Sequence, residues 1–310
     1  MAPLSSEGAP VTLCGVDNLL RRTILGAAAL AASAALAGCA VGRPGPPPKQ
    51  PEEPVTPQRY TYGDDPSQFA ELYLPAGEMR PGVVVIIHGG YWRSGYGLDL
   101  GQPLAQDLAS RGYACWNLEY RRAGNGGGWP ETFADVHAGI DLLATAAGDH
   151  GLDLTVTTAL GHSAGGHLAV WAAGRSTLPD GAPGAGTPTV QLTGVVSQSG
   201  VLNLADAHDQ GLGDGAVLNL LGVDPAEDPV RYRLADPMTA IPLAVPVLAL
   251  HGEDDSTVPL SQSDSYATTA VAAGANAELI MIPGDHFAMI TPGTEAWTRV
   301  VQAVDRLMLA

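Results

Sequence analysis

The chain has 310 residues, of which 45% are hydrophobic and 15% charged, and its formal net charge is −17. Such a composition belongs to a globular protein that can bury a sizeable core, and it excludes a disordered chain. Lys49 is the only lysine, so no basic patch offsets the negative charge. Because a polyanion would be repelled, the sequence predicts no nucleic-acid partner.

Residues 1–38 are predicted to be a signal peptide. Arg21 and Arg22 precede an apolar run, residues 24–36, which is too short to span a bilayer and is followed by small residues. The tetrapeptide LAGC, which ends at Cys39, resembles the lipobox of bacterial lipoproteins. That resemblance implies cleavage before Cys39, lipidation of its sulfur, and an exported protein held on the extracytoplasmic side of the cell membrane by a lipid anchor only. The arginine pair also resembles a twin-arginine export signal, so the export route stays open.

Residues 39–58 are predicted to be an extended tether. Seven prolines lie between residues 43 and 57, and such a stretch can form neither a helix nor a sheet ladder. We expect it to act as a semi-rigid spacer between the lipidated cysteine and the folded catalytic domain, residues 59–310.

Short β-like and helix-like runs alternate through this domain, which is typical of an α/β fold with a mostly parallel sheet and helices on both faces. The sequence predicts strands over residues 59–63, 69–75, 82–90, 113–120, 154–161, 190–200, 246–252 and 277–284. It predicts helices over residues 103–112, 130–147, 166–175, 260–273 and 295–309. The first two strands are expected to pair antiparallel. The pattern weakens over about residues 201–242, which indicates a small lid-like insertion above the strand ends.

The stretch ALGHSAGGHLAVWAAG, residues 159–174, places one serine between a predicted strand and a predicted helix. A strand that turns abruptly into a helix strains its corner residue, and small neighbours two positions before and after prevent a clash. Gly161 and Gly165 occupy those positions around Ser163. The hydroxyl would project at the carboxyl edge of the sheet beside a helix N-terminus, so Ser163 is the predicted nucleophile.

A serine nucleophile needs an imidazole to accept its proton and a carboxylate to orient that imidazole. Among the eight histidines, His286 follows the last predicted strand at the same sheet edge and is the best candidate base. Three adjacent acids, residues 253–255, follow the preceding strand. The chain order serine, acid, histidine is then supplied by Ser163, Asp255 and His286.

The oxyanion that forms during acyl transfer needs preorganised N–H donors. The pentapeptide HGGYW, residues 88–92, follows the first long central strand, where a second donor is expected. The predicted oxyanion hole therefore consists of the backbone N–H groups of Gly90, Tyr91 and Ala164.

Three further aromatic residues lie in or near the proposed site loops, in a chain with only 5% aromatic residues. Trp92, Trp129 and Phe287 are predicted to line a substrate pocket with stacking surface for an apolar or aryl-bearing ester. The alternative for each of them is core packing.

Together, the motifs HGGYW, GHSAGGHLA, HGEDDSTVP and GDHF resemble the α/β-hydrolase superfamily, and within it the esterase and arylformamidase branch with an H-G-G-x-W oxyanion loop. The resemblance covers about residues 60–310. It implies an α/β-hydrolase fold with Ser163 as nucleophile, His286 as base and Asp255 as its partner, with Asp254 as the alternative acid. Formamidases of this branch are mostly intracellular, whereas this chain carries an export signal.

These features predict a serine hydrolase that cleaves carboxylic esters through an acyl-enzyme. Arylformamidase or exopeptidase-type amide hydrolysis on the same triad is the first alternative, and a non-catalytic binding lipoprotein is the second. The expected partner is a small-molecule ester or amide, and the sequence leaves the oligomeric state open. No cofactor and no metal are predicted, since the triad needs none and no histidine pair has ligand spacing with an acid.

Overall fold

A single sheet of eight strands runs through the computed structural model, which describes residues 55–309. The strands are β1 (Gln58–Thr61), β2 (Phe69–Tyr73), β3 (Val83–Ile87), β4 (Ala114–Leu118), β5 (Thr157–His162), β6 (Gly194–Gln198), β7 (Val247–Gly252) and β8 (Ala277–Ile282). Their spatial order is β1-β2-β4-β3-β5-β6-β7-β8. Strand β2 pairs antiparallel with β1 and β4, and every other neighbouring pair is parallel. The predicted mostly parallel sheet is confirmed.

Helices cover both faces of this sheet, as predicted. They are α1 (Gln102–Ser110), α2 (Glu131–Asp141), α3 (Leu143–His150), α4 (Ala164–Ala173), α5 (Leu204–Asp209), α6 (Leu212–Leu221), α7 (Pro229–Ala235), α8 (Ser261–Ala272) and α9 (Glu295–Met308). Helices α1 and α9 bury Leu104 and Trp297 against one face, whereas α2 and α4 bury Phe133 and Leu168 against the other. Because the central strands are buried on both faces, they read as continuous aliphatic runs, of which VVVII in β3 is the clearest.

Two segments differ from the sequence-based prediction. The helix predicted over residues 130–147 is divided at Leu142, which keeps helical dihedral angles, so the interruption is local. The insertion at residues 201–242, where no element was predicted, contains the three short helices α5, α6 and α7.

The predicted signal peptide, Cys39 and the tether up to residue 54 lie outside the described residues, and those assignments stay predictions. Within residues 55–309, none of the helices combines the length and hydrophobicity that a bilayer-spanning segment needs.

The turn from β5 into α4 brings three backbone segments into close contact. A Cβ atom added at Gly161 would collide with the carbonyl oxygen of Gly165, and one added at Gly165 would collide with the carbonyl oxygen of Ile87 at the end of β3. Ser163, between the two glycines, has φ 55° and ψ −118°, a region that non-glycine residues rarely occupy. The fold thus holds Ser163 in a strained conformation at the carboxyl end of the sheet.

We predict that Gly165→Ala lowers the free energy of unfolding by about 3 kcal/mol or more, because the methyl group would push α4 away from β3. The matched control is Gly148→Ala in α3, where an added Cβ meets nothing within 4 Å. That substitution should raise stability by about 0.5–1 kcal/mol through helix propensity. Urea titration of both variants measures the difference, and equal stabilities would contradict the contact.

Candidate active site

Ser163 lies at the N-terminus of α4 and is 3% exposed. Its N–H donates to the carbonyl of Gln198 at the end of β6, and its own carbonyl accepts from the N–H of His167 and of Val201. These bonds fix its backbone to the end of β6, to the loop after β6 and to the helix that follows Ser163. The serine predicted to be the nucleophile is therefore held at the sheet edge by backbone contacts on both sides.

His286 and Asp255 form a direct pair. Nδ1 of His286 lies 2.7 Å from Oδ2 of Asp255, whose side chain is fully buried. The other carboxylate oxygen of Asp255 accepts the N–H groups of Thr257 at 2.8 Å and Val258 at 2.9 Å. Asp254, the alternative acid, is exposed, so the structure brings Asp255 and not Asp254 to the imidazole.

The hydrogen bonds around Asp255 keep its carboxyl ionised. Burial alone would raise the pKa of this group, but the bonds from His286 and from the Val258 N–H hold the pKa below its usual value. An ionised carboxylate only accepts hydrogen bonds, so Nδ1 of a neutral His286 carries the proton. Nε2 then keeps its lone pair, as a general base requires.

His286 lies beside the strand end that carries Ser163. His162, the residue before the serine, has its ring centroid 4.5 Å from that of His286. A hydrogen bond of 2.9 Å joins Nε2 of His162 to the carbonyl oxygen of His286. The loop after β8 and the turn after β5 are thereby joined at the predicted site.

The predicted oxyanion loop lies against the serine. A Cβ added at Gly89 would be 3.1 Å from Cβ of Ser163. Gly90 has φ 110°, and Tyr91 has φ 53°, so both residues turn the backbone through left-handed conformations. Ala164 is the first residue of α4, where an N–H has no acceptor within the helix. The predicted donors thus belong to two segments that meet at Ser163.

A buried carboxylate that the sequence analysis missed contacts the first residue of this loop and a residue beyond its end. Glu119, just after β4, lies 3.3 Å from Nε2 of His88 and accepts from the N–H of Leu98 at 2.9 Å. The hydroxyl of Tyr120 donates to the carbonyl of His88 at 2.8 Å, and the two rings stack. Arg122 pairs with Glu119 at 2.6 Å, so the negative charge is compensated. No local sequence pattern signals this role.

The three predicted pocket aromatics have different environments. The structure corrects the prediction for Trp92, which is 1% exposed and packs edge-on against His167 in the core, because its side chain points beneath the loop. Trp129 is half-buried and packs against Phe133 at 5.2 Å between centroids. Phe287 is 55% exposed, and its ring stands perpendicular to that of His286 at 5.2 Å.

The insertion lies against the oxyanion loop. A Cβ added at Gly213 would be 2.5 Å from the ring of Tyr91. The guanidinium of Arg93 donates to the carbonyl oxygens of Gly213 and Asp214. The N-terminal end of α6 is thus fastened beside the predicted site, while the role of this insertion as a lid stays a prediction. No cluster of three or more histidine, cysteine or acidic side chains suited to a metal ion is found in the described part of the chain.

A family model matches more than half of the chain. The BD-FAE family model covers residues 70–269, a range that runs from β2 into α8 and includes Ser163 and Asp255 but not His286.

Curated relatives are 26–29% identical to the chain over the aligned residues. The probable isoprenylcysteine alpha-carbonyl methylesterase of Oryza sativa subsp. japonica is 29% identical over 234 residues, which are 72% of this chain and 56% of that protein. Esterase LipC of Mycobacterium tuberculosis is 29% identical over 220 residues, 67% of this chain and 53% of that protein. The chain spans about half the length of the curated relatives it matches.

Solved structures share the fold. A truncated form of a carbohydrate esterase from gut microbiota superposes with a TM-score of 0.71 at 22% identity, covering 84% of this chain and 99% of that one. Esterase B from Lactobacillus rhamnosis gives 0.70 at 23% identity, covering 83% and 87%. The predicted α/β-hydrolase fold is confirmed.

Because two histidines near the turn are buried, we predict that the folded state becomes less stable in acid. Burial lowers the pKa of His162 to about 3 and that of His167 to about 4, whereas an unfolded histidine titrates near 6.5. Between those values the unfolded chain binds protons that the folded chain does not, so stability falls as the pH falls. Each histidine lowers the free energy of unfolding by at most about 1.4 kcal/mol per pH unit. Urea titrations from pH 6.5 to 4.5 measure how steeply this free energy depends on pH. We expect a weaker dependence for His167→Gln than for the wild type, and an equal dependence would contradict the burial effect.

Proposed function

The chain belongs to the BD-FAE family, and from this membership and the geometry of its site we propose that it is a carboxylic ester hydrolase with a Ser163–His286–Asp255 triad. The observation that carries the proposal is the Asp255–His286 hydrogen bond of 2.7 Å, with the ring of His286 packed against His162, the residue before a serine with strained backbone angles. An orienting carboxylate, an imidazole and a serine are the parts that acyl transfer needs.

In the proposed first step, Oγ of Ser163 attacks the ester carbonyl carbon while its proton moves to Nε2 of His286. Asp255 stabilises the imidazolium that results. The carbonyl oxygen becomes an oxyanion, which accepts hydrogen bonds from the N–H of Ala164 and from the N–H groups of Gly90 and Tyr91.

Collapse of this intermediate completes acylation. The carbon–oxygen bond to the alcohol breaks, and the alcohol oxygen takes the proton from Nε2 of His286. A water molecule then repeats the sequence: it gives a proton to His286, attacks the acyl carbon, and releases the acid as Oγ of Ser163 recovers its proton.

An ester is favoured over an amide as the substrate because the curated relatives are named esterases or methylesterases. Half-buried Trp129 and exposed Phe287 would offer apolar contact to an acyl or alcohol group. A panel of p-nitrophenyl esters, N-formylkynurenine and aminoacyl anilides separates the ester, formamide and exopeptidase activities.

We predict that Ser163→Ala lowers kcat/KM on the best p-nitrophenyl ester by about 10⁴-fold or more, with little change in thermal unfolding. Ser197→Ala is the matched control. Ser197 is also a fully buried serine, and it lies on β6 behind α4. It should keep nearly the full rate. Substantial turnover by Ser163→Ala would refute the nucleophile.

A further inference from the structure

We propose that His162 and Gln198 are positioning residues that hold the main chain of residues 286–289, so that the ring of His286 faces Ser163. The inference rests on the proposed function, because it concerns the base of that same site. It assigns a role to two buried polar side chains that the chemical steps above do not use.

The two residues occupy equivalent places at the ends of neighbouring strands. His162 ends β5, Gln198 ends β6, and they are register partners across the parallel pair. Both are buried, with exposures of 5% and 0%. In a strand, alternate residues share a face, so they continue the row of Leu160 and Val196, which belong to the apolar core.

Each side chain reaches the same loop. Nε2 of His162 donates to the carbonyl of His286 at 2.9 Å, and Nε2 of Gln198 donates to the carbonyl of Met289 at 2.6 Å. The loop is therefore fastened at two backbone points three residues apart. Asp255 fixes the third point, Nδ1 of the His286 ring. Two backbone contacts and one side-chain contact together define where Nε2 of His286 lies.

Packing alone does not explain these polar residues. Within residues 55–309, Nδ1 of His162 and Oε1 of Gln198 have no hydrogen-bond partner. A buried polar atom without a partner is destabilising, whereas leucine would extend the apolar row without that cost. The hydrogen bonds that the two Nε2 atoms donate to the loop carbonyls explain why polar side chains occupy these positions.

The donor role of His162 also withstands the catalytic cycle. Burial, followed by the proximity of His286, lowers the pKa of His162 to about 3. The ring of His162 thus stays neutral while His286 gains and loses its proton, and the bond to the loop carbonyl persists throughout.

The experiment compares His162→Leu, Gln198→Leu and the double variant with the wild-type full chain on the best p-nitrophenyl ester. We expect kcat to fall about 10- to 100-fold for each single variant, because a displacement of about 1 Å at a reacting group has an effect of this size. KM should change less than about threefold. Each single variant leaves one loop carbonyl without a donor, so its free energy of unfolding should fall slightly, and kcat is measured well below the unfolding midpoint. His162→Gln, which restores an N–H donor, should recover part of kcat.

Gln262→Leu is the matched control for Gln198→Leu. Gln262 is also fully buried, and its amide bonds to Asp206 and to the N–H of Asn203, which join α8 to α5 away from the site. Its kcat should remain within about twofold of wild type. A loss of kcat as large as that of Gln198→Leu would mean that any buried amide has this effect, and it would overturn the inference.

The outcomes separate the inference from the proposed function. If Ser163→Ala is inactive while His162→Leu and Gln198→Leu keep the wild-type kcat, the function stands and the inference fails. If the wild type hydrolyses no ester, the function fails, and the Nδ1–H proton of His286 in ¹⁵N-histidine-labelled protein decides the inference. A slowly exchanging, downfield proton in the wild type that is lost in His162→Leu supports it, and a proton unchanged in both contradicts it.

Discussion

The close backbone contact between β3, β5 and the first turn of α4 is the constraint on which the site depends. It exists only because Gly161 and Gly165 have no side chains, so that α4 can begin almost against the carbonyl of Ile87. This contact forces Ser163 into its strained conformation and brings the loop after β3 beside the loop that follows β5. The positions of the proposed nucleophile and the proposed oxyanion loop are thus set by the same packing contact, and the strain at the serine is balanced by the core beneath it.

Around that contact, separate buried polar groups hold the separate parts of the site. Asp255 orients the ring of His286, while His162 and Gln198 bond the carbonyls of its loop. Glu119 contacts His88 at the start of the proposed oxyanion loop and bonds Leu98 beyond its end. Each of these groups is buried, where a hydrogen bond is stronger than in water and a lost partner is costly. A preorganised site of this kind meets the developing charge without rearranging.

The sequence predicted the parts of this arrangement whose signals are local. The glycines around Ser163 indicate the sharp turn directly, and aliphatic runs such as β3 indicate strands that are buried on both faces. The insertion was predicted without its helices, and at α6 the reason is that the helix starts with residues of positive φ, including Asp214, whose glycine-rich sequence does not read as helical. Trp92 was misplaced because position in a loop does not say on which side of the loop a ring lies. The role of Gln198 had no local signal, since its acceptor carbonyl lies 91 residues further along the chain.

Covalent labelling tests the central claim most directly, namely that Ser163 is an activated nucleophile. A fluorophosphonate reacts with a serine whose proton a neighbouring base removes, and the phosphonylated peptide can be located by mass spectrometry. The account predicts a single adduct on Ser163 in the folded protein, formed much more slowly in His286→Ala and absent after unfolding. An adduct on another serine, or labelling of Ser163 at the same rate without the imidazole, would contradict it.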